Sequence, residues 1–287
     1  MVTIAICYRA GTGSMLAVTL ASLARHTKEV PYRVTVLVAK GGIDADLKEL
    51  GTFYRFDVHE VEGCEGHITR LHGLMLDSFI PSKVESEYVM TLDSDCFPIA
   101  DGWLMDLLKM KDARIVGILH PWAPPPDMNK KLIEWRVRSQ HCWENTHVAC
   151  QMMKTADIIE LGRKYNVGDD TGLDILKGAK DKGWKIDGFK LTRCAKPVAG
   201  EIDPEFNRFV SLIYGDKVYH QGGWTRITVG GDEPVLVNDF SWVVDRVMKE
   251  RGAEFLLKED LTYRFKFDRE EAVAKDKMNK LFGEIVK

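Results

Sequence analysis

The chain has 287 residues, a formal net charge of −3 and 45% hydrophobic residues. These values are ordinary for a soluble globular protein of one large domain, or of one domain with an appendage. So small a net charge excludes a global basic field of the kind that drives nucleic-acid binding and leaves only a local basic groove open. No apolar run reaches a transmembrane length, and no secretory leader is visible. Six scattered cysteines without a C-x-x-C pair predict buried reduced thiols in a cytoplasmic protein.

Strands and helices alternate through the first half of the chain. Apolar or alternating runs predict strands at 3–7, 33–38, 52–58, 89–92 and 114–119. Helical spacing predicts a first helix that Ser14 caps and that extends to about His26, and further helices at 47–50, at 66–79 and from Trp103 to Leu108. Pro81 is expected to end the third of these helices, because proline lacks a backbone N–H.

The same alternation continues to about residue 191 and then thins. Strands are predicted at 147–153, 185–191 and 218–220, and helices at 155–165, with Thr155 as its cap, and at 173–182. From about Asp239 the tail shows two helical patterns, 242–248 and 269–285. The whole pattern predicts an α/β fold with a mostly parallel sheet flanked by helices and a helical C-terminal extension.

The stretch Tyr88 to Pro98, YVMTLDSDCFP, carries the first chemical signal. Its short buried strand breaks into Asp93-Ser94-Asp95, and Phe97 and Pro98 are expected to end that strand. Two carboxylates at the end of a buried strand are costly unless a hard cation such as Mg2+ or Mn2+ offsets their desolvation. The alternative is a pair of solvated acids that cap the following helix.

Two further stretches bear polar groups that could take part in chemistry. Residues 166–172 form a turn that contains Asp169 and Asp170, and His220 follows a brief strand just before Gly222. An ordinary polar role for His220 stays open at this point. The loop 120–126, HPWAPPP, cannot form regular structure and can shape a pocket or simply connect two elements. Trp122, Trp143 and Trp224 are candidates for stacking on a sugar or base, with ordinary packing as the alternative.

Four stretches together resemble the nucleotide-sugar-dependent glycosyltransferases of the GT-A fold, particularly the broad family 2-like group. They are TIAICYRAG (3–11), HGLML (72–76) with YVMTLDSD (88–95), GDDTGLDILKGAKDKGW (168–184) and VYHQGG (218–223). The resemblance covers roughly residues 3–230. It implies a GT-A-type, Rossmann-like glycosyltransferase domain over residues 1–235 and an extension over 236–287 that packs on it or contacts a partner.

The resemblance also implies a set of roles for single residues. Mn2+ or Mg2+ would be held by Asp93, Asp95 and His220. Asp170, with Asp169 next, would be the catalytic base, and a single base implies inversion at the anomeric carbon. The implied contacts to a nucleoside-diphosphate sugar, with a UDP-sugar favoured, are Tyr8, Arg9, Ala10, Arg70, His72, Asp93, Ser94 and Gly222. The acceptor is a hydroxyl on a glycan, a lipid-linked sugar, a protein, a small molecule or a modified nucleobase.

Two departures from the family pattern keep other functions open. The segment Ala39–Gly42 lacks the acidic residue that often holds the nucleotide base, and the acidic loop has Asp169-Asp170 where a Glu-Asp pair is usual. A haloacid-dehalogenase-type phosphatase also uses Asp-x-Asp after a strand, but Phe97 stands where that family has Thr or Val. A nucleotidyltransferase and a non-catalytic nucleotide-sugar binding module are the remaining alternatives.

Overall fold

The computed structural model describes residues 1–63, 68–120, 145–167, 171–194 and 212–220. The strands in these residues are β1 (Val2–Cys7), β2 (Tyr32–Ala39), β3 (Asp57–Val61), β4 (Tyr88–Asp93), β5 (Cys96–Pro98), β6 (Ile115–His120), β7 (Asn145–Lys154), β8 (Ile186–Cys194), β9 (Leu212–Tyr214) and β10 (Val218–His220). The helices are α1 (Gly13–His26), α2 (Ala45–Phe53), α3 (Ile68–Lys83), α4 (Trp103–Leu108), α5 (Thr155–Leu161) and α6 (Leu173–Asp181).

The described strands form one sheet in the order β3-β2-β1-β4-β7-β6-β8-β9-β10-β5. Strands β3, β2, β1 and β4 are parallel, β7 runs against its neighbours β4 and β6, and β8 is again parallel to β6. The short strands β9, β10 and β5 continue the sheet with antiparallel pairs. The predicted α/β class, a mixed and mostly parallel sheet with flanking helices, is confirmed.

Helices cover both faces of the sheet and bury a separate apolar cluster on each. One cluster joins alternate residues of the central strands, such as Ile4 and Ile6, to α1, α2 and α4. The other joins the intervening residues, such as Ala5 and Val89, to α3, α5 and α6. This alternation explains the continuous apolar runs in the sequence, since a strand covered on both faces has no solvent-facing side.

The strand predicted over residues 52–58 begins too early. Asp44 accepts a hydrogen bond from the N–H of Leu47 at 2.9 Å and so caps the start of α2, which extends to Phe53. The strand β3 begins only at Asp57 and extends to Val61. An N-cap of this kind satisfies one of the N–H groups that a helix start leaves unpaired, and it stabilises a helix that takes up the first two residues of the predicted strand.

Four local predictions about ends and caps are wrong. Ser14 does not cap α1, because that helix begins at Gly13 and Thr12 is its N-cap residue. Pro81 lies inside the last turn of α3, where proline costs one helical hydrogen bond and does not break the whole helix. Thr155 is the first residue of α5, and its hydroxyl donates to the carbonyl of Ser86 at 2.7 Å instead of capping the helix. Phe97 and Pro98 do not end β4 but belong to β5, which pairs with β10.

Cys96 and Cys150 are buried free thiols, as predicted. No helix among the described residues is both long and apolar enough to cross a membrane. The predicted extension 236–287, most of the loop 120–126, and Trp122, Trp143 and Trp224 lie outside the described residues.

Candidate functional site

The two carboxylates of the Asp-x-Asp stretch lie where β4 leaves the sheet. Asp93 is the last residue of β4, opposite Cys7 of β1, and Asp95 lies in the turn that follows. The side chain of Asp93 is 24% exposed and that of Asp95 is 11% exposed. Two carboxylates so close in the chain repel each other and lose hydration here, and a bound cation would relieve both effects.

Strand pairing brings His220 to these carboxylates from a distant part of the sequence. In the antiparallel pair of β5 and β10, His220 lies opposite Cys96, the residue after Asp95. One position further, the rings of Phe97 and Tyr219 pack with centroids 5.0 Å apart, and both side chains are fully buried. The register places Nε2 of His220 3.7 Å from Oδ1 of Asp95.

Asp93, Asp95 and His220 form a cluster with the donor set of a divalent metal site. Each offers one ligand atom, and the three atoms lie within 4.8 Å of one another. At bonds of about 2.1 Å to an octahedral ion, neighbouring ligand atoms lie about 3 Å apart and opposite ones about 4.2 Å apart. Only small side-chain movements separate the cluster from that geometry, and two carboxylates with an imidazole suit Mn2+ or a similar ion.

The protonation state of His220 also fits metal binding. Burial lowers the pKa of His220 to about 4, so the ring is neutral at neutral pH. The nearby Asp95 carboxylate acts in the opposite direction, because it attracts the protonated ring, and burial outweighs it. Nδ1 of His220 is buried and has no hydrogen-bond partner among the described residues. A neutral imidazole can therefore offer a nitrogen lone pair to a cation.

Two more histidines lie at the edge of this cluster. His72 of α3 places Nε2 3.3 Å from Oδ1 of Asp93, and its side chain is 18% exposed. The predicted contact of His72 with a diphosphate stays a prediction. His147 of β7 lies with its ring centroid 5.4 Å from that of His220, and Ala149 donates its N–H to Nδ1 of His147 at 3.2 Å.

His147 was not among the predicted site residues. The sequence places it only at the start of a predicted strand, because strand periodicity does not reveal which distant side chain a residue will meet. The only signal available was a polar residue at the start of an otherwise apolar strand, and such a residue is most often a solvated strand end. The structure shows that it lies beside His220.

The loop after β1 is fixed by an acidic residue that the sequence analysis did not single out. Asp44 accepts hydrogen bonds from the hydroxyl of Tyr8 at 2.7 Å and from the N–H of Gly11 at 2.9 Å. Burial and the Asp44 carboxylate together raise the pKa of Tyr8, so its hydroxyl stays protonated and donates. The chain therefore does have an acidic residue after β2, at Asp44, just beyond the segment Ala39–Gly42.

The flanks of the predicted acidic loop are attached to α3. The carboxylate of Asp77 accepts the N–H groups of Tyr165 at 2.7 Å and Asn166 at 3.1 Å. A Cβ at Gly73 would come within 2.7 Å of the backbone of Asn166, so this close approach requires glycine. On the far side of the loop, Gly172 donates its N–H to the carbonyl of Tyr165 at 2.9 Å.

Several predicted site residues cannot be placed. Asp169, Asp170 and Gly222 lie outside the described residues, and for Arg70 only the backbone, within α3, is described. Among those described, Arg9 and Ala10 lie in the turn after β1, and Ser94 lies between the two carboxylates. The roles assigned to all of these residues stay predictions.

Comparison with known proteins gives structural but not sequence relatives. No protein-family model matches the chain, and no curated protein matches its sequence. The galactosyltransferase LgtC, solved with donor and acceptor sugar analogs, aligns with 88% of this chain and 95% of its own at 12% identity and a TM-score of 0.49.

Two further solved structures are similar over part of their length. A mannosyltransferase from Pyrobaculum calidifontis, solved with GDP-Man and Mn2+, shares 16% identity over 70% of this chain, with a TM-score of 0.48. TarS from S. aureus, solved with UDP-GlcNAc, shares 17% identity over 62% of this chain, with a TM-score of 0.43. The matches span 58% and 53% of those two chains.

Solved structures of glycosyltransferases are thus among those that are similar to this chain, in line with the resemblance seen in the sequence. With identities below 20% and TM-scores below 0.5, these likenesses identify neither donor nor acceptor. The function must be argued from the residues of this chain.

Proposed function

We propose that this protein is a metal-dependent glycosyltransferase that moves a sugar from a nucleoside-diphosphate sugar, with a UDP-sugar favoured, to an acceptor hydroxyl. The observation that carries the proposal is the cluster of Asp93, Asp95 and His220 at the carboxyl end of β4. In an open α/β sheet, ligands bind at this end of the parallel strands. The cluster therefore combines a metal donor set with the edge of the fold where substrates collect.

The metal ligands have distinct tasks in this proposal. Asp93, Asp95 and His220 would hold Mn2+ or Mg2+, which supplies Lewis-acid stabilisation to the leaving diphosphate. Asp93 is also 3.3 Å from His72, whose ring can keep that carboxylate in place or neutralise part of the diphosphate charge. The low pKa of His220 keeps its nitrogen unprotonated for the ion.

The donor would lie between the loops that follow β1 and β4. These strands are adjacent and parallel, with Cys7 opposite Asp93, so both loops leave the sheet at the same edge. Tyr8, Arg9 and Ala10 would contact the nucleotide, and the hydrogen bonds from Tyr8 and Gly11 to Asp44 would keep this loop in shape. Ser94, Arg70 and Gly222 would contact the diphosphate or the sugar.

The transfer step needs a base for the acceptor. The acceptor oxygen attacks the anomeric carbon, its proton passes to a carboxylate of Asp170 or Asp169, and the bond from that carbon to the diphosphate oxygen breaks. A single displacement of this kind inverts the anomeric centre. The hydrogen bonds from Tyr165 and Asn166 to Asp77 would hold the start of the loop that carries this base. A cytoplasmic location belongs to the same proposal.

A thermal-shift screen of nucleotides and nucleotide sugars, with and without Mn2+, tests the donor and metal site together. A ligand that binds only the folded state at about 100 times its Kd stabilises that state by about 2.7 kcal/mol. We expect such a shift with one nucleoside diphosphate in the wild type and its loss in Asp95→Asn. Asp157→Asn is the matched control, because Asp157 has a similarly exposed carboxylate at 12% but pairs with Arg114 away from the cluster.

The outcomes separate the alternatives. A shift only with phosphate or a phosphate mimic would reject the transferase and favour the phosphatase. A metal- and Asp95-dependent shift without slow donor hydrolysis in the absence of acceptor would favour a binding module. Once an acceptor is identified, NMR of the anomeric proton that shows retention would reject a single base and direct displacement.

A further inference from the structure

Helix α1 contacts the part of the chain from Ser94 to Asp101 through three polar side chains on one face. Thr19 donates its hydroxyl to the carbonyl of Ser94 at 2.6 Å, and Ser22 donates its hydroxyl to the carbonyl of Pro98. Further along, Nδ1 of His26 lies 2.7 Å from Oδ1 of Asp101. These positions recur at helical spacing, and the side chains of all three are buried.

The first of these contacts, from Thr19 to Ser94, lies between the two carboxylates of the cluster. The carbonyl of Ser94 belongs to the peptide that joins Ser94 to Asp95, between the two carboxylates. Thr19 is fully buried in the interior of α1, where a threonine hydroxyl often bonds back to its own helix. Here it donates across to the neighbouring turn instead, and so joins α1 directly to the proposed metal site.

The peptide that joins Ser94 to Asp95 lies between two strand pairings and belongs to neither. The pairing of β4 with β1 extends to Asp93, and the pairing of β5 with β10 resumes at Cys96, so no described strand pair includes Ser94 or Asp95. The two residues form the turn between strands that lie at separate places in the sheet. The hydroxyl of Thr19 therefore reaches this turn from outside the sheet and contributes a hydrogen bond to its backbone.

We infer that Thr19 is a positioning residue for the metal site. Its hydroxyl holds the peptide between Ser94 and Asp95, so that the carboxylate of Asp95 faces His220 while that of Asp93 stays at the end of β4. This inference rests on the proposed function, because it assumes that the carboxylates bind a cation. It adds a residue that touches neither metal nor substrate and acts through the backbone of the turn.

Four substitutions separate the hydroxyl from the volume of the side chain. Thr19→Ser keeps the hydroxyl donor. Thr19→Val puts a methyl group in place of the hydroxyl oxygen, which now lies 2.6 Å from the carbonyl oxygen of Ser94. Because a carbon cannot approach an oxygen so closely, the turn must move. Thr19→Ala removes the donor without that clash and serves if the valine variant does not fold. Ser22→Ala is the matched control, since it removes a buried hydroxyl from the same face of α1 beyond the turn.

In the experiment, the wild type and each variant are titrated with Mn2+ alone, and binding is measured by calorimetry or from the EPR signal of free Mn2+. Urea unfolding in metal-free buffer measures the stability of each variant. Loss of a group that orients a metal ligand typically weakens metal affinity by about 10- to 100-fold. We expect a loss in that range for Thr19→Val and Thr19→Ala. We expect near wild-type affinity for Thr19→Ser and for Ser22→Ala, even where Ser22→Ala lowers stability as much as Thr19→Ala does.

The result that overturns the inference differs from the result that overturns the proposed function. If the wild type and Asp95→Asn bind Mn2+ equally or not at all, the metal site is wrong and the role of Thr19 with it. If wild-type binding depends on Asp95 but Thr19→Ala binds as well as the wild type, only the role of Thr19 is wrong. Equal loss of affinity in Thr19→Ala and Ser22→Ala would also overturn it, because the effect would then follow general destabilisation.

Discussion

Replacing Asp44 by alanine should be among the more destabilising single changes in this protein. The carboxylate accepts three hydrogen bonds: from the hydroxyl of Tyr8 at 2.7 Å, from the N–H of Gly11 at 2.9 Å and from the N–H of Leu47 at 2.9 Å. Loss of the N-cap contact to Leu47 costs about 1 kcal/mol. Tyr8 is 3% exposed, so its hydroxyl would lose its partner in a buried place at a cost of about 1–3 kcal/mol.

The expected loss in the free energy of unfolding for Asp44→Ala is therefore about 3 kcal/mol. The N–H of Gly11 adds little, because Gly11 is half-buried and water can replace the lost acceptor. Urea unfolding at neutral pH measures the loss. Leu47 bonds to Oδ1 of Asp44, whereas Tyr8 and Gly11 bond to Oδ2. Asp44→Asn keeps one of these two acceptors, so it should lose less than Asp44→Ala.

A double-mutant cycle with Tyr8→Phe tests the reasoning behind this magnitude. The phenylalanine variant removes the buried hydroxyl, and Asp44→Ala should then cost about 2 kcal/mol less than it does in the wild type, which leaves about 1 kcal/mol for the cap. Strict additivity of the two substitutions, or a loss below about 1 kcal/mol for Asp44→Ala alone, would refute the account. In the proposed enzyme, Asp44→Ala should also raise the KM for the donor, because the loop of Tyr8 is the proposed nucleotide contact.

Three further predictions concern backbone packing, a buried histidine and a loop anchor. A Cβ at Gly117 would come 2.0 Å from the carbonyl oxygen of Cys150, so Gly117→Ala should lower the free energy of unfolding by about 3 kcal/mol or prevent folding. Gly51 is exposed in α2, and Gly51→Ala should raise the free energy of unfolding by about 0.5–1 kcal/mol. Thermal melts of both variants test these two expectations. The folded pKa of His220, about 4, lies below the ordinary 6.5, so the unfolded chain binds more protons between these values. The contribution of His220 to the free energy of unfolding of the metal-free protein should therefore be fully present above pH 6.5 and fall by about 3 kcal/mol as the pH drops to 4. Urea unfolding at several pH values measures this, and the free energy of unfolding of His220→Gln should depend less on pH over that range. Asp77→Ala leaves two backbone N–H groups without their acceptor and should lower the free energy of unfolding by about 1–3 kcal/mol, with a smaller loss for Asp77→Asn in the same assay; equal losses would contradict the assignment.

The sequence alone determined the layered fold and the position of the two carboxylates. Apolar runs such as Thr3 to Cys7 predicted strands because a strand buried on both faces needs apolar residues at every position. The pair Asp93 and Asp95 was evident because charged residues directly after such a run are costly without a partner. These signals are local, and a single stretch of chain is enough to read them.

Local signals failed where tertiary contacts outweigh propensity. The strand predicted over 52–58 began too early, because α2, whose start Asp44 caps, extends to Phe53 and β3 begins only at Asp57. Pro81 stayed within α3, where it removes only one hydrogen bond from a helix whose apolar face is packed on the sheet. In both cases the energy of a cap or of packing exceeded the preference of the local sequence.

The completed site depended on contacts between residues far apart in the chain. The sequence proposed His220 as a metal ligand by resemblance, but only the pairing of β10 with β5 placed it 3.7 Å from Asp95. Nothing in the sequence indicated that His147 would lie beside His220, or that the hydroxyl of Thr19 would donate to the carbonyl of Ser94. Strand register and helix docking decide which side chains meet, and both result from packing of the whole chain, which no single stretch of sequence encodes.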